Sequence, residues 1–271
     1  MGLYVIFSGI VPDMVSAFEN AAQSLVALSW LSLSIMLAGL MLASLARGYS
    51  GFGFSAVLIS SWSLVVSPAA VIPVALVLEV TASFLQAFSV WSHIPWRRVV
   101  FLLLGAALGT PFGVSILAFA PPETVKLGLA IFVLISALLL FQGWKLRKRA
   151  NAAGTVTVGI ASGIANGAVG MGGLPVALFL TADGDSPAKI RAAVTAYFFL
   201  LDVMGLISLA QVHLVTIETV TMAVLSVPIL VIGMALGTRH FLGATPEGFR
   251  RVTLLMLIGI ALLGIGRHLW L

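Results

Sequence analysis

The chain contains no cysteine in 271 residues. Disulfides, thiolate nucleophiles and cysteine-ligated metals are excluded, and the redox state of the compartment is left open. Charge is almost as scarce. Asp, Glu, Lys and Arg make up 8% of the residues, against about 25% in a soluble domain, so the chain cannot clothe a water-facing surface. The alternating dyads of a transmembrane barrel are missing too. The start, "MGLYVIFSGIVPD", lacks a basic leader and reads as a surface or partly inserted segment over 1–24 rather than a cleaved signal peptide. No Gly-x-Ser-x-Gly elbow or serine–histidine spacing supports an intramembrane hydrolase built on Ser55 or Ser61. The glycine motifs have no βαβ context, so they are not a nucleotide fingerprint. No cofactor and no metal site is expected.

What is present is apolar: 61% hydrophobic residues and a mean hydropathy of +1.16. Uncharged runs cover 20–46, 48–78, 99–122, 127–144, 150–182 and 219–238. Several reach the ~20 residues a helix needs to cross a bilayer. The expected fold is an all-α polytopic membrane protein, because helices satisfy their own backbone groups in lipid. In a soluble protein the net charge of +5 would suggest nucleic acid. Here it reads as basic loops that fix orientation, with the bilayer as partner and no nucleic acid.

The chain also resembles itself. "RGYSGFGFS" (47–55) and "NGAVGMGGL" (166–174) share a Gly-x-x-Gly-x-Gly spacing, 119 residues apart, with Asn166 where Arg47 stands. At that offset Gly48, Gly51, Gly53, Ser67 and Pro68 match Gly167, Gly170, Gly172, Ser186 and Pro187. Further on, "GAALGT" (105–110) matches "GMALGT" (233–238), and "PETVK" (122–126) resembles "PEGFR" (246–250). The chain therefore divides into the segment 1–24, a first repeat over 25–144 broken at 47–54, a basic linker over 145–153, and a second repeat over 154–271 broken at 166–173.

Charge fixes how the repeats are related. If each glycine break makes a hairpin, the halves are inverted. Arg97, Arg98, Lys145, Arg147, Lys148, Arg149, Lys189, Arg191, Arg239, Arg250 and Arg251 then share one side, with only Lys126 and Arg267 opposite. If each break merely interrupts one spanning helix, the repeats run parallel and the same charges divide almost evenly. The positive-inside rule selects the inverted arrangement, with basic loops cytoplasmic and both termini periplasmic. Segments 154–165 and 173–182 would each be near half the membrane thickness, as re-entrant or broken legs.

Inverted repeats with broken helices are how many secondary transporters build a site near the midplane. A helix that starts inside the membrane offers unpaired N–H groups and the positive end of its dipole, which suits an anion. Two such starts lie at Gly53–Ser55 and Gly172–Leu174. The binding set read from this pattern is Arg47, Gly51, Gly53, Phe54, Ser55, Asn166, Gly170, Gly172 and Gly173. Arg47 either grips a carboxylate or sulfonate with its planar fork or pairs with Glu79 or Asp202 and staples helices. Glu79 and Asp202 either couple an ion or serve as charge partners. Gln86, Thr195, Tyr197 and Thr110 could line a polar cavity. His93 and His213 fall at helix ends, and Trp91, Trp96 and Trp270 read as interface anchors.

"ARGYSGFGFSAVLISSWSLVVSP" (46–68), "WSHIPWRRVVFLLLGAALGTPFG" (91–113) and "GIANGAVGMGGLPVALFL" (163–180) resemble the sulfite exporter TauE/SafE family over residues 30–268. The second glycine motif of that family maps onto Gly170, Gly172 and Gly173. The first departs from the fuller triple-glycine version, with Phe52 and Phe54 among its glycines. The resemblance implies a transporter that exports sulfite or a C2 organosulfonate such as sulfoacetate across the bacterial inner membrane, and not an enzyme. A channel for the same anions, another organic-anion transporter and a homodimer all remain open.

Overall fold

A computed structural model describes residues 29–142, 150–183, 187–241 and 258. The N-terminal segment, most of the basic linker, "PEGFR" and Trp270 lie outside the described residues. Every described element is helical: α1 (Trp30–Ser50), α2 (Phe54–Trp62), α3 (Pro68–Val90), a single 3-10 turn (Trp91–His93), α4 (Trp96–Phe119), α5 (Pro122–Gln142), α6 (Ala152–Val169), α7 (Gly173–Ala182), α8 (Pro187–Gln211) and α9 (Ile217–Phe241). Among the described residues six helices are long and apolar enough to cross a membrane: α1, α3, α4, α6, α8 and α9. The chain is an all-α polytopic membrane protein.

Local chemistry sets the helix starts. The Ser29 hydroxyl accepts from the Ser32 N–H at 3.1 Å, and the Asn151 side chain accepts from the Gly154 N–H at 2.9 Å, each satisfying a first-turn donor. Pro68 opens α3, where its missing N–H costs nothing.

Both glycine breaks turn the chain back on itself. α1 stops at Gly51, in the left-handed region at φ 78°, and α2 then runs back along α1. The Trp62 Nε1 donates to the Met36 carbonyl at 2.8 Å, and a Cβ on Gly39 would strike the Ser61 side chain. α6 stops at Gly170, φ 67°, and α7 returns along α6. At its end the Asp183 carboxylate accepts from the Ala150 N–H at 2.9 Å, just before α6 begins, and pairs with Arg98 at the start of α4.

The legs of these hairpins are unequal, which the sequence reading did not anticipate. The outgoing legs have 21 and 18 residues, about 31 and 27 Å at 1.5 Å per residue. Only the returning legs, of 9 and 10 residues, are half-length. Asn166 does not end α6, because its carbonyl still accepts from the Gly170 N–H at 2.8 Å, and the helix continues to Val169. The short α2 is tolerated because it is buried on nearly every side; its ends meet protein rather than lipid.

Two glycine seams join the halves. Gly105, Gly109 and Gly113 of α4 face Gly159, Gly163 and Gly167 of α6. A Cβ on Gly163 would stand 2.5 Å from the Ala106 carbonyl oxygen, and one on Gly167 2.5 Å from that of Thr110. Gly105, Gly109 and Gly113 are blocked in the same way by the carbonyls of Val156, Ile160 and Ile164. The opposite side of α4 carries Leu104, Leu108, Phe112 and Ile116, all exposed, as a lipid-facing row at fourfold spacing. A second seam joins α9 to α1. Gly233 and Gly237 of α9 meet Ser44 and Leu45 of α1, and Gly48 meets the Met234 carbonyl. The two helices that carry "GxALGT", α4 and α9, thus pack against α6 and α1, the helices that lead into the glycine breaks. Lipid tails give helices no hydrophobic reason to associate, so close backbone packing across small residues carries these contacts.

Gly170 and Gly128 make a paired test. An alanine at Gly170 would have to hold the left-handed backbone that the glycine adopts and would push on the Ile59 side chain, whereas nothing lies within 4 Å of a Cβ on Gly128. Gly170→Ala is expected to cost about 1–2 kcal/mol and to lower the melting temperature in detergent. Gly128→Ala leaves that temperature unchanged or raises it slightly.

Candidate functional site

The first turns of the two half-helices open on one cavity of about 20 Å³. Gly53, Ser55 and Ala56 of α2 and Gly173 and Leu174 of α7 stand in its wall. So do Glu79 of α3, Asn166, Gly170 and Met171 from the second break, and Phe198 and Asp202 of α8. Space on this scale holds about one water. α2 starts at Gly53 with no side-chain cap, so the N–H groups of its first turn lack partners within the helix. Seven of the residues singled out from sequence therefore come together: Gly53, Ser55, Glu79, Asn166, Gly170, Gly173 and Asp202.

Arg47 is fully buried but stands behind Glu79, off the cavity wall. Its Nη1 lies 3.0 Å from Glu79 Oε1 and also donates to the Gly51 carbonyl. Its Nη2 donates to Ser83 Oγ at 2.6 Å, and its guanidinium lies 5.1 Å from the centre of the Phe198 ring. The other oxygen of Glu79 accepts from Ser55 Oγ at 2.9 Å. In this conformation the arginine fork, the carboxylate and the first turn of α2 form one connected group. Asp202 is buried beside Asn166 and feels the charges of Glu79 and Arg47, while the Asn166 amide nitrogen has no well-formed hydrogen bond.

The 119-residue offset organises the group. Arg47 meets Ser83, and their equivalents Asn166 and Asp202 meet each other. Glu79 and its equivalent Phe198 both stand in the wall. Positions related by the 119-residue offset thus stand at the same group of side chains but carry different chemistry.

Other singled-out residues serve as supports or lie elsewhere. Gly51 and Gly172 shape the turns: the Gly51 carbonyl takes Arg47, and that of Gly172 accepts from Ser162 Oγ. Phe54 is buried in the core next to the break. Gln86, Thr195 and Tyr197 are not among the residues lining the cavity. Gln86 donates to the Arg47 carbonyl at 3.3 Å. Tyr197 donates to Ser162 Oγ at 2.8 Å. Thr195 opens on a separate apolar groove of about 350 Å³ between α3 and α8, lined by Phe84, Phe88, Trp91 and Trp96. Thr110 lies in the glycine seam, donating to the Ala106 carbonyl. His93 and His213 are exposed at helix ends, and Trp91 and Trp96 pack edge to face at 5.3 Å.

The sequence reading missed Ser83, Ser162, Phe198 and the local role of Arg191. The offset could have found Phe198, which aligns with Glu79. Arg191 counted only as a loop charge. In the structure its Nη2 donates to the Gly48 carbonyl at 3.2 Å, beside Thr238 Oγ1 at 3.0 Å. It thereby satisfies a last-turn carbonyl of α1 at the negative end of the helix.

Residues 35–263 match the family model described as Sulfite exporter TauE/SafE. The chain belongs to the sulfite exporter TauE/SafE family. Family membership makes it a membrane transporter of an exporter family, acting on an anion, and not an enzyme. Among curated proteins it is similar to "Probable sulfite/organosulfonate exporter TauE" of Cupriavidus necator, 25% identical over 224 residues, which is 78% of this chain and 85% of that protein. No solved structure matches it.

Proposed function

We propose that the protein exports a small anion, sulfite or a C2 organosulfonate such as sulfoacetate, across the bacterial inner membrane by alternating access. One observation carries the reading: a half-helix from each glycine break begins at the same cavity, so two positive dipole ends converge there. The name of the Cupriavidus relative supplies the substrate class.

In this reading the halves are inverted repeats. The end of the bundle that carries Arg97, Arg98, Lys189, Arg191 and Arg239 faces the cytoplasm. The first N–H groups of α2 and α7, with Ser55 and Asn166, hold the anion. Gly51, Gly53, Gly170, Gly172 and Gly173 let backbone approach it, Phe54 anchors the first break, and Arg47 supplies the full charge. A space the size of one water cannot admit a sulfonate, so the site must widen before the anion enters, and in this reading one half moves against the other.

Counterflow in proteoliposomes tests the proposal. Vesicles loaded with unlabelled sulfite or sulfoacetate are expected to accumulate the labelled anion transiently and with saturation. Conductance without counterflow would replace the transporter with a channel. No movement of any of these anions would remove the substrate assignment.

A further inference from the structure

We infer that Glu79 occupies the place of the transported anion in the empty protein, and that the anion enters as Glu79 takes up a proton and lets go of Arg47. The inference rests on the anion-transport reading and adds its coupling ion.

The site already contains an anion. The Glu79 carboxylate has one oxygen 3.0 Å from Arg47 Nη1 and the other accepting from Ser55 Oγ at 2.9 Å, in the first turn of α2. A charged fork and a helix N-terminus are the donors an incoming sulfonate would use. Glu79 also stands in the cavity wall, where about 20 Å³ is free, so a sulfonate and an unmoved Glu79 do not fit together.

Charge points the same way. Two groups of opposite sign face Glu79: Arg47 from α1 and Asp202 from α8. α2 brings only the Ser55 hydroxyl. The charges of α9, Glu218 and Arg239, are exposed near its two ends, and Glu123 and Lys126 of α5 pair with each other on the surface. Arg191 of α8 is engaged at Gly48. Among the described residues, a Glu79 displaced from Arg47 therefore finds no cation nearby except Arg191, which is held at the Gly48 carbonyl. A buried carboxylate without a partner takes a proton rather than keep its charge. The balance is one proton bound for each anion bound, with Arg47 exchanging one anionic partner for another. The equivalent position in the second half is Phe198, so only the first half can make this exchange. Asp202, set against Asn166 rather than the arginine fork, stays in place.

Isothermal titration with isethionate, a sulfonate ionised at every working pH, tests the coupling on the full-length protein. Buffers of different ionisation enthalpy report the protons taken up. Wild type is expected to take up about one proton per anion, and wherever that uptake is measured its affinity should fall about tenfold per pH unit. Glu79→Gln should bind without uptake and equally at pH 6 and pH 8, and Asp202→Asn should keep the wild-type slope. Wild-type binding with no uptake and no pH dependence overturns the inference and leaves the transport reading standing. Uptake that survives Glu79→Gln but vanishes in Asp202→Asn overturns it as well. Failure of isethionate, sulfoacetate and sulfite alike to bind wild type removes both readings. A wild-type titration without uptake overturns the inference even if a variant fails to fold, and where only Asp202→Asn folds, loss of the uptake in it overturns the assignment to Glu79.

Discussion

Gly109→Leu and Gly163→Leu should each abolish recovery of folded protein, while Leu108→Ala one residue away leaves it unchanged. The reason lies in the α4–α6 seam. A Cβ at either glycine meets a carbonyl oxygen of the facing helix: Ile160 for Gly109 and Ala106 for Gly163. A side-chain obstacle can rotate away, and overpacking an ordinary core costs about 1–3 kcal/mol. A backbone carbonyl inside a helix cannot move alone, so the helices must separate along the whole seam. Parting them also removes the close Cα–H to carbonyl approach that such helices use in lipid. Leu108 is exposed on the opposite face, and its truncation trades one lipid contact for another. Monodisperse elution in detergent is the readout, and a glycine variant eluting like wild type would mean that the seam is looser than described.

Arg47→Ala should be the most destabilising single change at the site. Deleting one partner of a buried ion pair strands the other charge and costs about 3–5 kcal/mol. Here the loss also frees Ser83 and uncovers Phe198. The expected result is a large fall in melting temperature together with no transport. Removing Glu79 as well should restore much of the stability but none of the transport, because the stranded carboxylate is gone while the anion still lacks its cation. Arg47→Lys keeps the charge but loses the fork that reaches Glu79, Gly51 and Ser83 together, and should fall between the two. A double variant no more stable than Arg47→Ala would deny that the pair is coupled.

How much of this was legible in the sequence depends on what each residue had to say. The hairpins were legible, because charge parity and a repeated glycine spacing constrain chain direction without any knowledge of packing. The returning leg was read as 173–182 and is α7 itself. Cavity residues such as Ser55 and Asn166 could be found because each adjoins a break. Gln86, Thr195 and Tyr197 could not be placed. A polar residue in mid-helix does not declare its face, and a rotation of 100° per residue sends Thr195 to the apolar groove and Tyr197 to Ser162. Phe198 declared nothing by residue type, since an aromatic in an apolar helix looks the same toward lipid as toward an arginine, and only its alignment with Glu79 could have pointed to it. The sequence left Glu79 and Asp202 equivalent as partners of Arg47; only three-dimensional packing distinguishes a fork contact at 3.0 Å from a neighbour across the cavity.

The size of the central cavity has an electrical consequence. Protons cross membranes quickly along unbroken files of water, and a space for one molecule cannot hold such a file. While Glu79 stays in place, the space between the two half-helices offers no such file, so a proton that reaches this site is expected to arrive on Glu79 itself rather than along water.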